Sequence, residues 1–205
     1  MMNESESYIY GLLITDGSLY LSTRNRGKVT LEVSEKDHDI VEKLYNEIPN
    51  SSIRERIKNT NFKSNYTTKI FSNTRLEFRN KLICQGFPLK NKTLNANTPN
   101  IEYNKYHFWR GVIDGDGSLG LTGNNRPFLS LTTKSENLKN KYLNFLLEEL
   151  GIIKNINRNK RDNIYNVFLS GNNAIKLAKI LYLDNPGIYL ERKYNKALEI
   201  QNYYA

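Results

Sequence analysis

The sequence predicts an α+β protein of two pseudo-symmetric halves, each running α-β-β-α-β-β-α, because the chain repeats itself. Gly11-Leu-Leu-Ile-Thr-Asp-Gly-Ser-Leu19 recurs at a spacing of 100 as Gly111-Val-Ile-Asp-Gly-Asp-Gly-Ser-Leu119, with Gly, Asp, Gly, Ser and Leu at matching places. Three shorter matches follow in the same order. They pair Leu31-Glu-Val-Ser-Glu-Lys36 with Ser130-Leu-Thr-Thr-Lys134, Lys69-Ile-Phe-Ser72 with Val167-Phe-Leu-Ser170, and Leu89-Lys-Asn-Lys-Thr93 with Leu190-Glu-Arg-Lys-Tyr194. Apolar spacing also alternates between helical and period-two patterns in the same order in both halves.

Each half opens with a short apolar helix, residues 5–15 and 105–115, ending at an Asp-Gly-Ser turn where Gly17 and Gly117 can take a positive φ. A hairpin follows. In the first half Val29, Leu31 and Val33 alternate with Lys28, Thr30, Glu32 and Ser34, the pattern of a strand with one buried face. The next helix places Ile40, Val41, Leu44, Tyr45 and Ile48 on one side, with Ser34 as its N-cap and Asp37 three residues on. Its counterpart carries Leu138, Tyr142, Phe145, Leu146 and Leu150. A second hairpin is expected over 52–72 and 153–170, and a last helix over 74–84 and 173–183. The Asn-rich stretch Asn95 to Tyr103, with Pro99, reads as the linker, dividing the chain into a first half 1–96, a linker 97–104 and a second half 105–205.

Composition narrows the function. The 205 residues are 39% apolar and 25% charged, with a mean hydropathy of −0.62 and no apolar run near membrane-spanning length, so neither a disordered chain nor a membrane protein is expected. The opening MMNESESYIYGLL has no basic stretch ahead of its apolar residues and does not read as a secretory signal, which points to an intracellular, nucleic-acid-containing compartment. One cysteine, Cys84, and two distant histidines, His38 and His107, exclude a disulfide framework and a zinc finger, leaving oxygen as the only donor for a metal. The net charge of +9 suggests a polyanionic partner. It is spread evenly: residues 1–100 carry 15 basic and 11 acidic side chains, residues 101–205 carry 15 and 10.

Gly11 with Thr15, and Gly111 with Gly115, put small residues at i and i+4 on one face of each first helix. Such faces let two helices meet backbone to backbone, so the two helices are expected to pack together across the pseudo-twofold, with these four residues as their interface. Asp16 and Asp116 then come close at two helix C-termini, where a carboxylate is already unfavourable and a second one repels it. A hard divalent cation resolves the arrangement. Magnesium is the expected ion, with calcium or manganese as substitutes. Asp114 has Ile14 at the matching place in the first half and reads as structural.

These residues resemble the LAGLIDADG homing endonucleases in their single-chain form. Ile9-Tyr-Gly-Leu-Leu-Ile-Thr-Asp-Gly17 and Trp109-Arg-Gly-Val-Ile-Asp-Gly-Asp-Gly117 are similar to the two motif copies, the first with Ile14 where an acid often stands. The resemblance implies a monomer whose two sheets form a saddle over double-stranded DNA and which makes a staggered break in a long asymmetric site, as in intron or intein mobility. It implies metal-binding carboxylates at Asp16 and Asp116, with Thr15 and Gly115 beside them in the metal set. It also implies a polar residue near the metal-bound water at Glu35 and Thr133, and lysines near the scissile phosphates at Lys92 and Lys193, which otherwise read as solvated helix-start charges. A non-cleaving alternative on the same scaffold is an intron RNA maturase or a DNA-binding regulator.

The strands carry residues suited to a groove. Arg24, Arg26, Lys28, Thr30 and Glu32 lie in the first hairpin, and Arg54, Arg56, Lys58 and Lys69 in the second. Arginine reads guanine bidentately and lysine reaches acceptors or phosphates. The second half offers Asn124, Asn125, Arg126, Asn155, Asn157 and Asn159, which suit adenine or else reflect AT-rich coding composition. Because these residues differ between the halves, the expected target is asymmetric. Most of the 14 tyrosines, Tyr45 and Tyr142 among them, are expected in the core.

Overall fold

The computed structural model describes residues 1–58, 66–183 and 186–204. The first half runs α1 (Glu4–Thr15), β1 (Gly17–Leu21), β2 (Gly27–Ser34), α2 (His38–Glu47), β3 (Ser51–Lys58), β4 (Tyr66–Asn73), α3 (Leu76–Cys84) and a one-turn α4 (Lys92–Asn95). The second runs α5 (Lys105–Asp116), β5 (Gly117–Leu121), β6 (Pro127–Thr133), α6 (Glu136–Leu150), β7 (Tyr165–Ser170), α7 (Asn172–Tyr182) and α8 (Glu191–Gln201). Both sheets are antiparallel, in the orders β1-β2-β4-β3 and β5-β6-β7. Among the described residues no helix is long and apolar enough to cross a membrane.

The two first helices form the centre. In α1 every residue from Ser7 to Ile14 is buried, and in α5 every residue from His107 to Asp114. A helix buried all round needs partners on every side, and these two find each other and a sheet apiece. Their starts are capped locally. Asn3 Oδ1 accepts from the Glu6 N–H at 2.8 Å while Glu6 Oε2 accepts from the Asn3 N–H at 3.2 Å, and Asn104 Oδ1 accepts from the Tyr106 N–H at 3.1 Å.

The sheets follow the period-two reading. Val29 and Leu31 pack inward with Leu19 and Phe71, so Lys28, Thr30 and Glu32 lie on the outer face, away from the helices. The repeat extends to register: Gly17 pairs Leu31 and Leu19 pairs Val29, as Gly117 pairs Leu131 and Leu119 pairs Leu129. The later match shifts by two residues, since the ladder puts Phe71 opposite Leu31 and Val167 opposite Leu131. The β1–β2 turn holds Arg24 and Asn25 both at φ 57°, with the Arg26 N–H donating to the Thr23 carbonyl at 3.2 Å. That left-handed pair gives the turn a twist that suits a hairpin.

Several expectations need correction. The second sheet has three strands among the described residues: 153–158 form no strand, and only an isolated bridge joins Asn159 to Ile164. Asn155, Asn157 and Asn159 are poor strand formers and Ile153 stays 86% exposed, so the edge has neither propensity nor burial to hold it. The turn of the first half's second hairpin, 59–65, lies outside the described residues. Ser34 precedes a 3-10 turn, Glu35–Asp37, without a side-chain cap, and α2 starts at His38. Tyr45 is 48% exposed at the margin of the α2 apolar face, whereas Tyr142 is buried. Gly17 and Gly117 begin strands instead of taking positive φ, Gly117 lying at −86°. Their smallness serves a close approach, because a Cβ would fall 2.6 Å from the Leu13 carbonyl oxygen in one case and 2.6 Å from that of Ile113 in the other.

Candidate metal centre and nucleic-acid interface

Glycine is what lets α1 and α5 touch. A Cβ on Gly11 would lie 2.2 Å from the Phe108 carbonyl oxygen, and one on Gly111 2.2 Å from that of Tyr8. Further along, a Cβ on Gly115 would lie 2.0 Å from Thr15 Oγ1 and 3.4 Å from Asp16 Oδ2. All four expected interface residues therefore meet. The contact delivers Asp16, the C-cap of α1, and Asp116, the last residue of α5, to one place.

Both carboxylates are open to solvent, yet the protein packed around them strips part of their hydration. That loss, followed by the Asp16 charge, pushes Asp116 up from 3.8 to about 6. Asp16 is also raised, first by burial, with nearby Lys193 and Lys92 pulling it back.

The lysines stand in equivalent positions. Lys92 Nζ donates to the carbonyls of Leu13, Thr15 and Gly17, the last at 2.6 Å. Lys193 Nζ donates to those of Ile113, Asp114, Gly115 and Gly117, at 2.7 Å for Asp114 and 2.8 Å for Gly117. The carbonyls at 13, 15 and 17 correspond to those at 113, 115 and 117, so each ammonium closes the C-terminal turn of its own motif helix. Neither is a solvated helix-start charge: Lys193 is 4% exposed, and burial lowers the pKa of both. A direct phosphate contact by either would require these hydrogen bonds to break. No sequence signal reveals them, since they join residues 75 to 80 positions apart.

Asp114 lies in the core. It accepts from Tyr8 Oη and Tyr182 Oη, each at 2.6 Å, and from the Leu190 N–H at 2.8 Å, tying α1, α7 and the start of α8 together. Thr133 is buried and its Oγ1 accepts from the Ser135 N–H at 3.1 Å, so it is engaged in the strand-to-helix turn. Glu35 is exposed in the 3-10 turn, one residue beyond β2. Asp37, which the sequence reading used only as a helix-start acid, is the acid whose charge reaches both Asp16 and Lys193. It binds Arg192 of α8 at 2.7 and 3.2 Å, joining the two halves beside the site.

A hard divalent cation fits the residues present. Two carboxylates meet at two helix C-termini, and one of them is driven up first by burial and then by the other's charge, which is the environment a cation relieves. Among the described residues no group of three or more His, Cys, Asp or Glu side chains assembles, so the remaining ligands would come chiefly from water; the Thr15 and Gly115 carbonyls, expected in the metal set, already accept from Lys92 and Lys193.

On the first sheet, Lys28, Thr30, Glu32, Arg54, Arg56 and Lys58 share the outer face: the ladder sets Glu32 opposite Ile70 and Arg54 opposite Ile70 from the other side. Lys58 pairs with Glu32 at 2.5 Å. Arg24 and Arg26 flank the turn above them, and buried Arg79 of α3 anchors that turn by donating to the carbonyls of Gly27, at 2.8 Å, and Asn25. Lys69 is on the wrong face. It is on the Phe71 side of β4 and pairs with Glu42 of α2 at 2.7 Å, so its assignment to the interface is withdrawn. Period two already indicated this, because Lys69 and Phe71 must point the same way. In the second half Asn124, Asn125 and Arg126 occupy the exposed β5–β6 turn, and Asn155, Asn157 and Asn159 the exposed strandless segment. Phe128 and Phe168, absent from the sequence reading, lie on that sheet's outer face.

Residues 104–182 match a family model described as a LAGLIDADG-like domain. No curated protein matches the chain. Among solved structures, the homing endonuclease I-WcaI bound to its DNA recognition sequence is similar at a TM-score of 0.65 and 17% identity, over 95% of this chain and 85% of that one. Meganuclease I-SmaMI bound to uncleaveable DNA is similar at 0.57 and 14%, over 95% and 90%. Full-length DUF199/WhiA from Thermatoga maritima is similar at 0.58 and 13%, over 96% of this chain and 59% of that one. With the paired helices and two antiparallel sheets, these likenesses show that the chain has the fold of the homing endonucleases and that its second half is similar to a LAGLIDADG-like domain.

Proposed function

We propose that the protein is a site-specific endonuclease that hydrolyses both strands of a long, asymmetric DNA duplex with a divalent cation, leaving a staggered break. The observation that carries this reading is the meeting of Asp16 and Asp116 at the ends of two helices in glycine contact. A binding protein has no use for two carboxylates held against each other and against phosphate. Both acids come from one chain, which supports action as a monomer. Magnesium bound there would supply Lewis acidity at the scissile phosphate and an activated water.

The chain's own groups do the rest. Asp16 and Asp116 would hold the cation. Lys92 and Lys193 fix the last turn of each motif helix, and their charges keep the carboxylates ionised near neutral pH. The arginines and lysines on the first sheet's outer face position the duplex. Mobility of an intron, with intron RNA as a second partner, in an intracellular compartment that holds the DNA, is the setting such an enzyme suits.

The second reading, a DNA-binding regulator without cleavage, is favoured by the engagement of both lysines with backbone carbonyls. Gel shift and cleavage on one labelled duplex, selected from a randomised library, separate the two. Wild type should cut in magnesium, bind without efficient cutting in calcium, and not cut in chelator. Asp16→Asn and Asp116→Asn should each abolish cutting and retain binding. An Asn variant that cuts at the wild-type rate, or cutting in chelator, refutes the assignment and puts the regulator first.

A further inference from the structure

The two sheets present opposite chemistries at equivalent positions. The described strands of the first sheet carry Lys28, Glu32, Arg54, Glu55, Arg56, Lys58 and Lys69, whereas β5, β6 and β7 carry no charged residue. Ladder position equates Lys28 with Phe128, and Ser72, opposite Thr30, with Phe168, opposite Ser130. Leu129, Leu131, Val167 and Leu169 fill the core, so Phe128 and Phe168 point the other way, with Ser118, Ser130, Thr132 and Asn166 around them. The two rings are parallel, 11° apart with centroids at 5.8 Å, and Phe168 is 42% exposed.

An aromatic pair with Phe168 exposed and Phe128 half-buried, on a sheet face whose strands carry no charge, has a cost in water that a ligand can remove. The surroundings identify that ligand. β5 starts at Gly117, directly after Asp116, so this face is continuous with the carboxylate pair. Its margin is basic: Lys154 Nζ donates to the Phe168 carbonyl at 2.8 Å, and Arg126 and Arg158 stand exposed at neighbouring turns. A basic margin around an apolar centre matches a duplex, whose phosphates flank base edges. The one apolar group in the major groove is the thymine C5 methyl. Phenylalanine cannot satisfy the donors and acceptors of a G·C edge, so a G·C pair placed against these rings would lose hydrogen bonds to water without replacement.

We infer that the outer face of the second sheet selects thymine, with the Phe128–Phe168 pair packed on C5 methyls of an A·T-rich half-site, while the arginines of the first sheet take a half-site containing guanine. This rests on the DNA reading proposed above.

The test removes one methyl group at a time. Duplexes retained by the full-length protein from a randomised library in calcium are sequenced, and the consensus is remade with deoxyuridine for thymine in either half. Gel shift should show about fourfold weaker binding per contacted methyl, confined to one half. Phe128→Ser and Phe168→Ser should bind the thymine and uracil duplexes equally, and Phe168→Leu should retain the preference; melting curves report that each variant folds. A consensus without thymine in either half, no response to uracil, or a Phe168→Ser variant weakened on thymine duplexes yet still discriminating against uracil overturns the inference and leaves DNA recognition standing. So does wild type that sediments as a dimer which Phe168→Ser dissociates without changing DNA affinity. A protein that selects no duplex overturns the DNA reading itself, and this inference with it.

Discussion

Replacing Gly111 by alanine adds one methyl group where two helix backbones touch, and the outcome turns on two opposed terms. Alanine in a helix interior is favoured over glycine by about 1 kcal/mol. Against that, the new Cβ would stand 2.2 Å from the Tyr8 carbonyl oxygen and 2.8 Å from the Leu12 nitrogen. Both obstacles are backbone and neither can rotate away, so α1 and α5 must part by about 1 Å, disturbing Leu12, Leu13 and Val112, all buried. Overpacking of this kind costs about 1–3 kcal/mol, and a backbone obstacle puts it near the upper end. The net loss is about 2 kcal/mol, or a fall in Tm of roughly 4–8 °C for a chain of this size. Asp16 and Asp116 are carried apart with the helices, so cleavage should fall further than stability accounts for. Gly123→Ala is the control, since a Cβ there meets nothing within 4 Å. Calorimetry and cleavage of the selected duplex are the measurements. A Gly111→Ala protein that melts and cuts like wild type would show that the helices do not meet at Gly111.

The other outcomes follow from charge. Arg54→Ala or Arg56→Ala should relax base preference on one side of the site by about 1–3 kcal/mol per lost bidentate contact, read by sequencing selected duplexes; Lys69→Ala, on the far face of the same sheet, should leave that profile unchanged. Asp116 titrates near 6 in the folded chain against 3.8 unfolded, so its protonated form contributes stability that is full below about pH 4 and is lost as pH rises to 6. In chelator, Asp116→Asn should therefore melt above wild type at pH 8, with the gap closing toward pH 4, and a divalent cation should raise the Tm of wild type only. Lys193→Met leaves four carbonyls without their donor and should cost about 2–3 kcal/mol in thermal or urea unfolding. An unchanged urea midpoint would mean that the ammonium does not close the helix.

Local and repeated features were legible in the sequence. The identity of Gly11 with Gly111 and of Asp16 with Asp116 located the central helices, and the alternation of Val29, Leu31 and Val33 gave the inner face of β2. What failed depended on pairing between distant segments. Ile153 and Ile156 stand three apart, which puts them on opposite faces of a strand, and whether an edge forms depends on burial, which Ile153 does not find. The shift between Lys69–Ser72 and Val167–Ser170 is invisible without the ladder. Gly17 and Gly117 were correctly located and wrongly explained, because sequence shows that a side chain is missing and not which atom requires its absence. Phe128 and Phe168 were passed over because apolar residues in strands are read as core by default, and only the opposite placement of Leu129 and Leu169 assigns them outward.

The carbonyl-bound lysines and the paired carboxylates belong to one electrostatic arrangement. Each helix C-terminus contributes about half a negative charge, so two termini and two ionised aspartates bring together about three. Lys92 and Lys193 return two positive charges, and their hydrogen bonds fix them on the terminal carbonyls instead of on the carboxylates themselves. Direct ion pairs would have neutralised Asp16 and Asp116 and left little attraction for a metal. Bonded to the carbonyls, the lysines cancel the helix termini and part of the repulsion, and the carboxylate oxygens stay unpaired and turned outward. Negative charge remains at the carboxylate pair, and a divalent cation bound there would relieve it. On the proposed reading the lysines would act by holding the carboxylates ready, before any contact with phosphate.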